Sequence, residues 1–312
     1  MYKYILKRLV QMIPTLLGVV VLVFVLFRYF GGDPAEILAG LNASPEQVES
    51  IRYQLGLNDP PWVQLGIFMR SLITFDWGHS WATQESVASI LASRLPATLT
   101  VMVPILILDA ILALPIAMWI TMRRGGLTDR IIMIICTITL SISFLVYIIA
   151  GQYVFGFLLG WFPVQGWSDS ALTNLVIYAP LPVLLAIAVG LAPQIRLYRS
   201  FFLDEIQQEY TRTAQAKGLS HWQIMFRHVL PNAWIPILTN FGMALPGVFV
   251  GSFLLETFFS IPGLGRELLL AVNRSDYPVI QAMTVYLAIV TMLFNLVTDV
   301  LYASLDPRVK LK

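Results

Sequence analysis

ATLTVMVPILILDAILALPIAMWI, residues Ala97–Ile120, runs for 24 positions with a single ionisable side chain, Asp109. A helix of that length in water carries a polar face, and this one has none. About 20 apolar residues are what a helix needs to cross the core of a bilayer. Five further stretches share the character: Leu9–Phe30, Ile131–Gly151, Leu175–Ile195, Ala233–Leu255 and Gln281–Tyr302. Charged residues make up 12% of the chain and hydrophobic residues 57%, about half the charge of an ordinary soluble domain. The predicted fold is an all-α membrane protein, one domain over residues 1–312 with six transmembrane helices. Pro104, Pro115, Pro182 and Pro246 lie within or beside these spans, where neighbouring helices re-satisfy the freed backbone groups.

Lys3, Lys7 and Arg8 precede the first span. The apolar run is long for a signal peptide and no small-residue cleavage site follows at Gly31–Pro34, so it reads as a retained anchor. With the N-terminus inside, fourteen of the twenty Lys and Arg fall on cytoplasmic segments: Lys3, Lys7, Arg8; Arg123, Arg124, Arg130; Arg196, Arg199, Arg212, Lys217, Arg227; and Arg308, Lys310, Lys312. The positive-inside bias therefore places both termini in the cytoplasm.

Two segments between spans are too patterned to be plain loops. The outer segment 31–94 contains Ser44-Pro45-Glu46-Gln47, a capping box with proline at the first helical position, and Gly56 where a left-handed cap would end that helix. Trp62, Leu65, Met69 and Leu72 then recur at helical spacing, which predicts an outer helical cap. In the cytoplasmic segment 203–231, Leu203, Ile206, Tyr210 and Ala214 form an apolar stripe that stops at Gly218. Ser220-His221-Trp222-Gln223 opens a second helix, and Pro231 closes it. Two short amphipathic helices joined at a glycine are suited to docking, and the polar face has too few basic residues for a membrane-surface helix.

The sequence has no P-loop, H-E-x-x-H, C-x-x-C or G-x-S-x-G motif. His79, His221 and His228 are divided between the two sides, which disfavours a metal site. The single cysteine, Cys136, sits in an apolar run and has no intrachain disulfide partner. No catalytic site, resident cofactor or metal is expected, and no block of like charge suggests nucleic acid. Among ionisable residues in or near the spans, Asp109 lies mid-membrane, and Glu256 and Asp299 lie nearer span ends; such groups mark pathways or helix pairing.

Arg212-Thr213-Ala214, Gly218 and His228-x-Leu230-Pro231 together resemble the EAA loop of ABC-importer permeases, with Arg, Thr and His replacing Glu, Ala and Ile. Glu209-Tyr210-Thr211-Arg212-Thr213-Ala214-Gln215-Ala216-Lys217-Gly218-Leu219 is similar to the peptide/nickel branch. Supporting matches are Gly32-Asp33-Pro34, Leu55-Gly56-Leu57, Arg94-Leu95-Pro96-Ala97-Thr98, Glu256-Thr257 through Pro262-Gly263-Leu264-Gly265, Asp276-Tyr277-Pro278, and Asn295, Asp299, Tyr302 and Asp306-Pro307-Arg308. The chain departs from the family at Ser141-Ile142-Ser143-Phe144, where proline is common, at Phe75-Asp76-Trp77-Gly78, and at Ser275.

The resemblance implies the first of two membrane subunits of a dipeptide/oligopeptide importer of the type I ABC fold, in the bacterial inner membrane. It implies a homologous second permease, two cytoplasmic ATP-binding subunits that hold ATP and magnesium, and an external substrate-binding protein. Glu209, Tyr210, Arg212, Thr213, Ala214, Lys217, Gly218, Leu219, His228, Leu230 and Pro231 are then the coupling residues that dock on an ATPase subunit. Asp109, Phe144, Glu256, Pro262, Gly263, Gly265 and Asp276 are pathway or gate candidates. Rival cargoes are nickel or a metal chelate, cationic antimicrobial peptides and glycosidic compounds. A channel or scaffold that needs no ATPase is the rival from another class; an intramembrane enzyme and an exporter are disfavoured.

Overall fold

The computed structural model describes residues 2–30, 32–40 and 43–305. The Asp306-Pro307-Arg308 motif, Lys310 and Lys312 lie outside the described residues, as does Gly31; so do the side chains of Lys3 and Tyr302. The described chain is helical almost throughout. In order the helices are α1 (Tyr2–Phe30), α2 (Pro34–Ala39), α3 (Pro45–Gln54), α4 (Pro61–Ile73), α5 (Val87–Met122), α6 (Leu127–Ser141), α7 (Phe144–Gly151), α8 (Ala171–Thr173), α9 (Pro180–Ile206), α10 (Glu209–Ala216), α11 (His221–Ile224), α12 (Leu230–Val250), α13 (Phe253–Phe258), α14 (Leu264–Asn273) and α15 (Tyr277–Leu305). Wider π turns follow α7, α8 and α11, at Gln152–Leu158, Asn174–Tyr178 and Met225–Val229. Five of the described helical stretches are long and apolar enough to cross a membrane, or six when the bent pair Leu127–Ser141 and Phe144–Leu158 counts as one span.

The chain packs as two units, residues 1–97 with 262–293 and residues 98–261 with 294–312, so that α5 and α15 each belong in part to both. The first unit is built on Val87, Ile90 and Leu91 of α5, which pack with Leu264 and Ala271 of α14 and with Val279, Ala282 and Met283 of α15. Asp276, 3% exposed, ties its polar loop down: the carboxylate accepts from the Ser80 hydroxyl and from the amides of Trp81 at 3.0 Å and Ala82 at 3.3 Å. The helices expected within residues 31–94 form as α3 and α4, with the Ser44–Gln47 capping box in place. Gly56 takes the left-handed conformation, φ 64°. The second unit is built on Ala113, Ala117 and Ile120 of α5, Ile195, Tyr198 and Phe202 of α9, and Met225, Val229 and Ala233 around the start of α12.

Several boundaries differ from the sequence expectation. α5 begins ten residues before Ala97, so Arg94, expected in an outer loop, lies inside the helix and donates to Glu267 at 3.2 Å. The third predicted span is not straight. It breaks after Ser141 and turns by 91° between its two halves, with Ile142 in an extended conformation. No proline causes this. Thr137 and Ser141 each return their hydroxyl to the carbonyl four residues back, at 2.8 Å, a habit that bends helices. The Tyr147 hydroxyl then takes up the Thr139 carbonyl at 3.3 Å, one of the four acceptors that a helix end leaves open.

The fourth predicted span begins at Pro180, preceded by a π turn where its first residues were expected to be α-helical. Pro231, expected to close a helix, sits at the first turn of α12. Its ring and missing N–H prevent an ordinary turn from running through, and the chain passes it with the wider turn Met225–Val229.

α14 ends on the same hydrogen-bond pattern that closes α3 at Gly56, with Ser275 and Asp276 donating to Val272 and Ala271 at 3.1 and 2.9 Å. The left-handed position is filled by a serine at φ 54°. A non-glycine residue pays about 1 kcal/mol there, so Ser275→Gly is expected to raise the thermal midpoint in detergent; a lowered midpoint would show that the serine side chain contributes more than the strain it carries.

Asp33 caps α2, accepting from Ala35 N at 2.9 Å, and binds Arg52 of α3. Burial alone would push this carboxyl up, but the Arg52 guanidinium and the Ala35 amide outweigh it and hold it below the ordinary 3.8. A depressed folded-state value means the contribution is complete above about pH 4 and is lost as the pH falls through that folded value. Proteolysis of the α2–α3 segment should therefore accelerate below about pH 4, and Asp33→Asn should abolish that pH dependence.

Candidate functional site

The segment 203–231 has its own local logic. Leu203 and Ile206 were expected on one stripe with Tyr210, but they end α9, and the chain turns at Gln207–Gln208 before α10 begins. Thr211 sits at the turn: its buried hydroxyl lies 2.6 Å from the carbonyls of both Ile206 and Gln208, and that of Ile206 is one the end of α9 leaves open. Glu209 stands in the first turn of α10, where the helix dipole favours an acid. It pairs with exposed Arg212 at 2.9 Å.

At the far end Gly218 takes φ 80°. Gly218 N bonds to Gln215 O at 2.9 Å and Leu219 N to Ala214 O at 3.2 Å, the double closure that needs a left-handed residue between the two donors. Ser220 and Gln223 then exchange the two bonds of a capping box, at 2.9 and 3.3 Å. Both signals were legible in the sequence.

One face of the segment is seated. Thr211, Ala214, Ile224, Met225 and Val229 are buried, and Leu219 and Leu230 pack against the same core. The other face is open. Trp222 and Phe226 are each about half exposed and stack on one another at 5.7 Å. Tyr210 is partly exposed, and its hydroxyl is held by the Glu205 carboxylate. Burial and the Glu205 charge push that phenol well above its ordinary value. Lys217 is the C-cap of α10, and the His228 carbonyl accepts from Asn232 at 2.6 Å.

Beside this segment lies an ion pair that no sequence pattern announces. Arg199 of α9 grips Asp129 of α6 with two parallel bonds, 2.8 and 2.7 Å, and Gly125 N adds a third at 3.0 Å. The two side chains are 19% and 6% exposed. The residues are 70 apart in sequence, so neither helical spacing nor local composition links them. The pair ties the turn after α5 to the stretch of α9 that leads into α10.

The pathway candidates are divided between the two units. Asp109 stands on α5 opposite Gly190, its Oδ1 buried and without a hydrogen-bond partner among the described residues. Phe144 opens α7 just past the bend and is half-buried. Glu256, 1% exposed, accepts from the Thr98 hydroxyl at 2.9 Å. It also presses so close to Gly251 that no side chain fits there. These three belong to the second unit. Pro262, Gly263, Gly265 and Asp276 belong to the first, where Gly263 is the N-cap of α14 and Asp276 is the loop anchor already described.

The sequence signature described as binding-protein-dependent transport system inner membrane component matches residues 113–311, and its N-terminal counterpart matches residues 1–102. A glutathione transport system permease protein of Salmonella typhimurium (strain LT2) is 34% identical, with all of both chains covered. A dipeptide transport system permease protein of Alkalihalophilus pseudofirmus is 31% identical over 99% of this chain and all of its own.

Removing Arg199 leaves a carboxylate buried without its partner, a loss of roughly 3 kcal/mol. Arg199→Ala is thus expected to lower the thermal midpoint markedly. The double variant Asp129→Asn/Arg199→Gln should recover much of that loss, and equal damage from single and double variants would argue against the pair.

Proposed function

The chain belongs to the binding-protein-dependent transport system inner membrane components, and from that membership we propose that it is one of two membrane subunits of an ATP-driven importer of short peptides. The observation that carries the cargo reading is the end-to-end similarity to permeases named for glutathione and dipeptide transport. The chain itself is a multi-pass inner-membrane transport component. Its homologous partner completes the pathway, an external binding protein delivers the peptide, and two cytoplasmic ATPase subunits bind ATP with magnesium. The excess of Lys and Arg on alternate segments supports placing both termini in the cytoplasm.

The 203–231 segment is the docking element in this reading. Its buried face joins it to α5, α9 and α12 of the second unit. The exposed Trp222–Phe226 stack and Tyr210 offer an aromatic anchor of the kind that dominates protein interfaces. When ATP closes the ATPase pair, a segment held on one side by the subunit core and on the other by the partner would transmit the displacement to α9 and α12 and change access to the pathway. The resemblance assigns Glu209, Arg212, Thr213 and Lys217 to the same contact, and Gly218 to the turn between the helices.

A mild-detergent pull-down, followed by an ATPase assay with binding protein and peptides, tests the whole reading. Co-purifying permease and ATPase subunits with peptide-stimulated hydrolysis support it. A lone chain without ATPase, under conditions that preserve other complexes, would turn the reading to a channel or scaffold. Gly218→Asp places a branched charged residue at φ 80°; the variant should insert normally and lose the ATPase subunits or the coupling of hydrolysis to transport. Trp222→Ala should weaken ATPase-subunit capture by tenfold or more, the loss of about 2 kcal/mol expected of an aromatic anchor. Normal capture and transport by both variants would remove the docking role.

A further inference from the structure

Within the first unit, two adjoining cavities of about 360 Å³ and 180 Å³ share Phe24, Gln64, Trp81 and Gln281 as common walls. They form a trough beside α1, α4 and the start of α15, and its chemistry is graded. The larger cavity is lined by Phe24, Ile67, Phe68 and Leu72, with the Phe24 and Phe68 rings 6.4 Å apart. The smaller one reaches Arg28, whose guanidinium donates to the Leu57 carbonyl at 3.2 Å.

The gradient follows depth along the helices. Arg28 is the last basic residue of the span Ile5–Tyr29, and Phe24 lies one turn further in, about 6 Å at the rise of an α-helix. On α15 Tyr277 opens the span and Ala282 lies deeper. Trp81 lies 5.5 Å from Tyr277 with the rings tilted by 59°, and such rings suit the level of lipid headgroups. Trp77 lines the larger cavity as well, and its indole N–H is buried, closed to that space.

The geometry points to a site for one phospholipid, its phosphate on Arg28 and an acyl chain laid between Phe24, Phe68 and Leu72. A cation at one end and an apolar slot beyond it match the two parts of that molecule. Asp76 and His79 also border the larger cavity; the carboxylate disfavours a second anionic group there and leaves the phosphate to Arg28. The site is independent of which cargo the transporter carries.

Native mass spectrometry of the full chain, delipidated in mild detergent and titrated with phosphatidylglycerol, tests it. Wild type and Arg28→Lys should hold one phosphatidylglycerol through detergent exchange, and Arg28→Gln should bind it about fivefold more weakly. Ser71→Phe, which puts a ring into the larger cavity, should abolish retention. If that variant does not fold, the Arg28→Gln and Arg28→Lys pair decides alone. Equal retention by wild type and Arg28→Gln, no retention by wild type, or recovery of peptide in place of lipid would each overturn the assignment.

Discussion

A backbone amide or carbonyl left open in hydrocarbon costs several kcal/mol, because no water is there to take it. Outside hydrocarbon the cost is smaller, and helix ends still look for a replacement partner. At the 91° bend after Ser141, the Tyr147 hydroxyl takes the Thr139 carbonyl, which the helix end leaves open. At the end of α9 the Thr211 hydroxyl does the same for Ile206. Before Pro180 and Pro231 the turn widens instead of breaking. Each interruption is a place where a side chain, a cap or a wider turn replaces the lost helical bond, so the chain can change direction without an open backbone.

Three buried carboxyl groups take donors from their own unit: Asp276 from two amides and a hydroxyl, Asp129 from Arg199 and Gly125, Glu256 from Thr98. These contacts make rigid corners. Asp276 holds the loop of residues 80–82 against the start of α15, and Asp129 holds the turn after α5 to α9. The second corner lies on the stretch of α9 that leads into α10.

The same segment shows why an exposed aromatic face and a buried one can coexist on helices of eight and four residues. Neither helix is long enough to be stable alone. Both are held by caps at their ends and by Ala214, Ile224, Met225 and Val229 beneath them, which leaves Trp222 and Phe226 half exposed on the other face. The trough in the first unit has the converse character, with aromatic rings lining a cavity that reaches Arg28 at one end.

The helical membrane class, the Ser44 and Ser220 capping boxes, the Gly56 and Gly218 stops and the family were all written in the sequence, because each depends on residues a few positions apart or on bulk composition. Local chemistry fixes them before any tertiary contact forms. The serine cap at Ser275, the bend at Ile142, the start of α5 at Val87 and the role of Pro231 in opening α12 were not legible, since in each the residue's ordinary preference gives way to its surroundings. The Asp129–Arg199 pair, the seat of Asp276 and the Phe24–Trp81 trough were beyond reach for a different reason. They join positions tens to nearly two hundred residues apart, and a pairing of that kind exists only once the packing of helices has brought its members together.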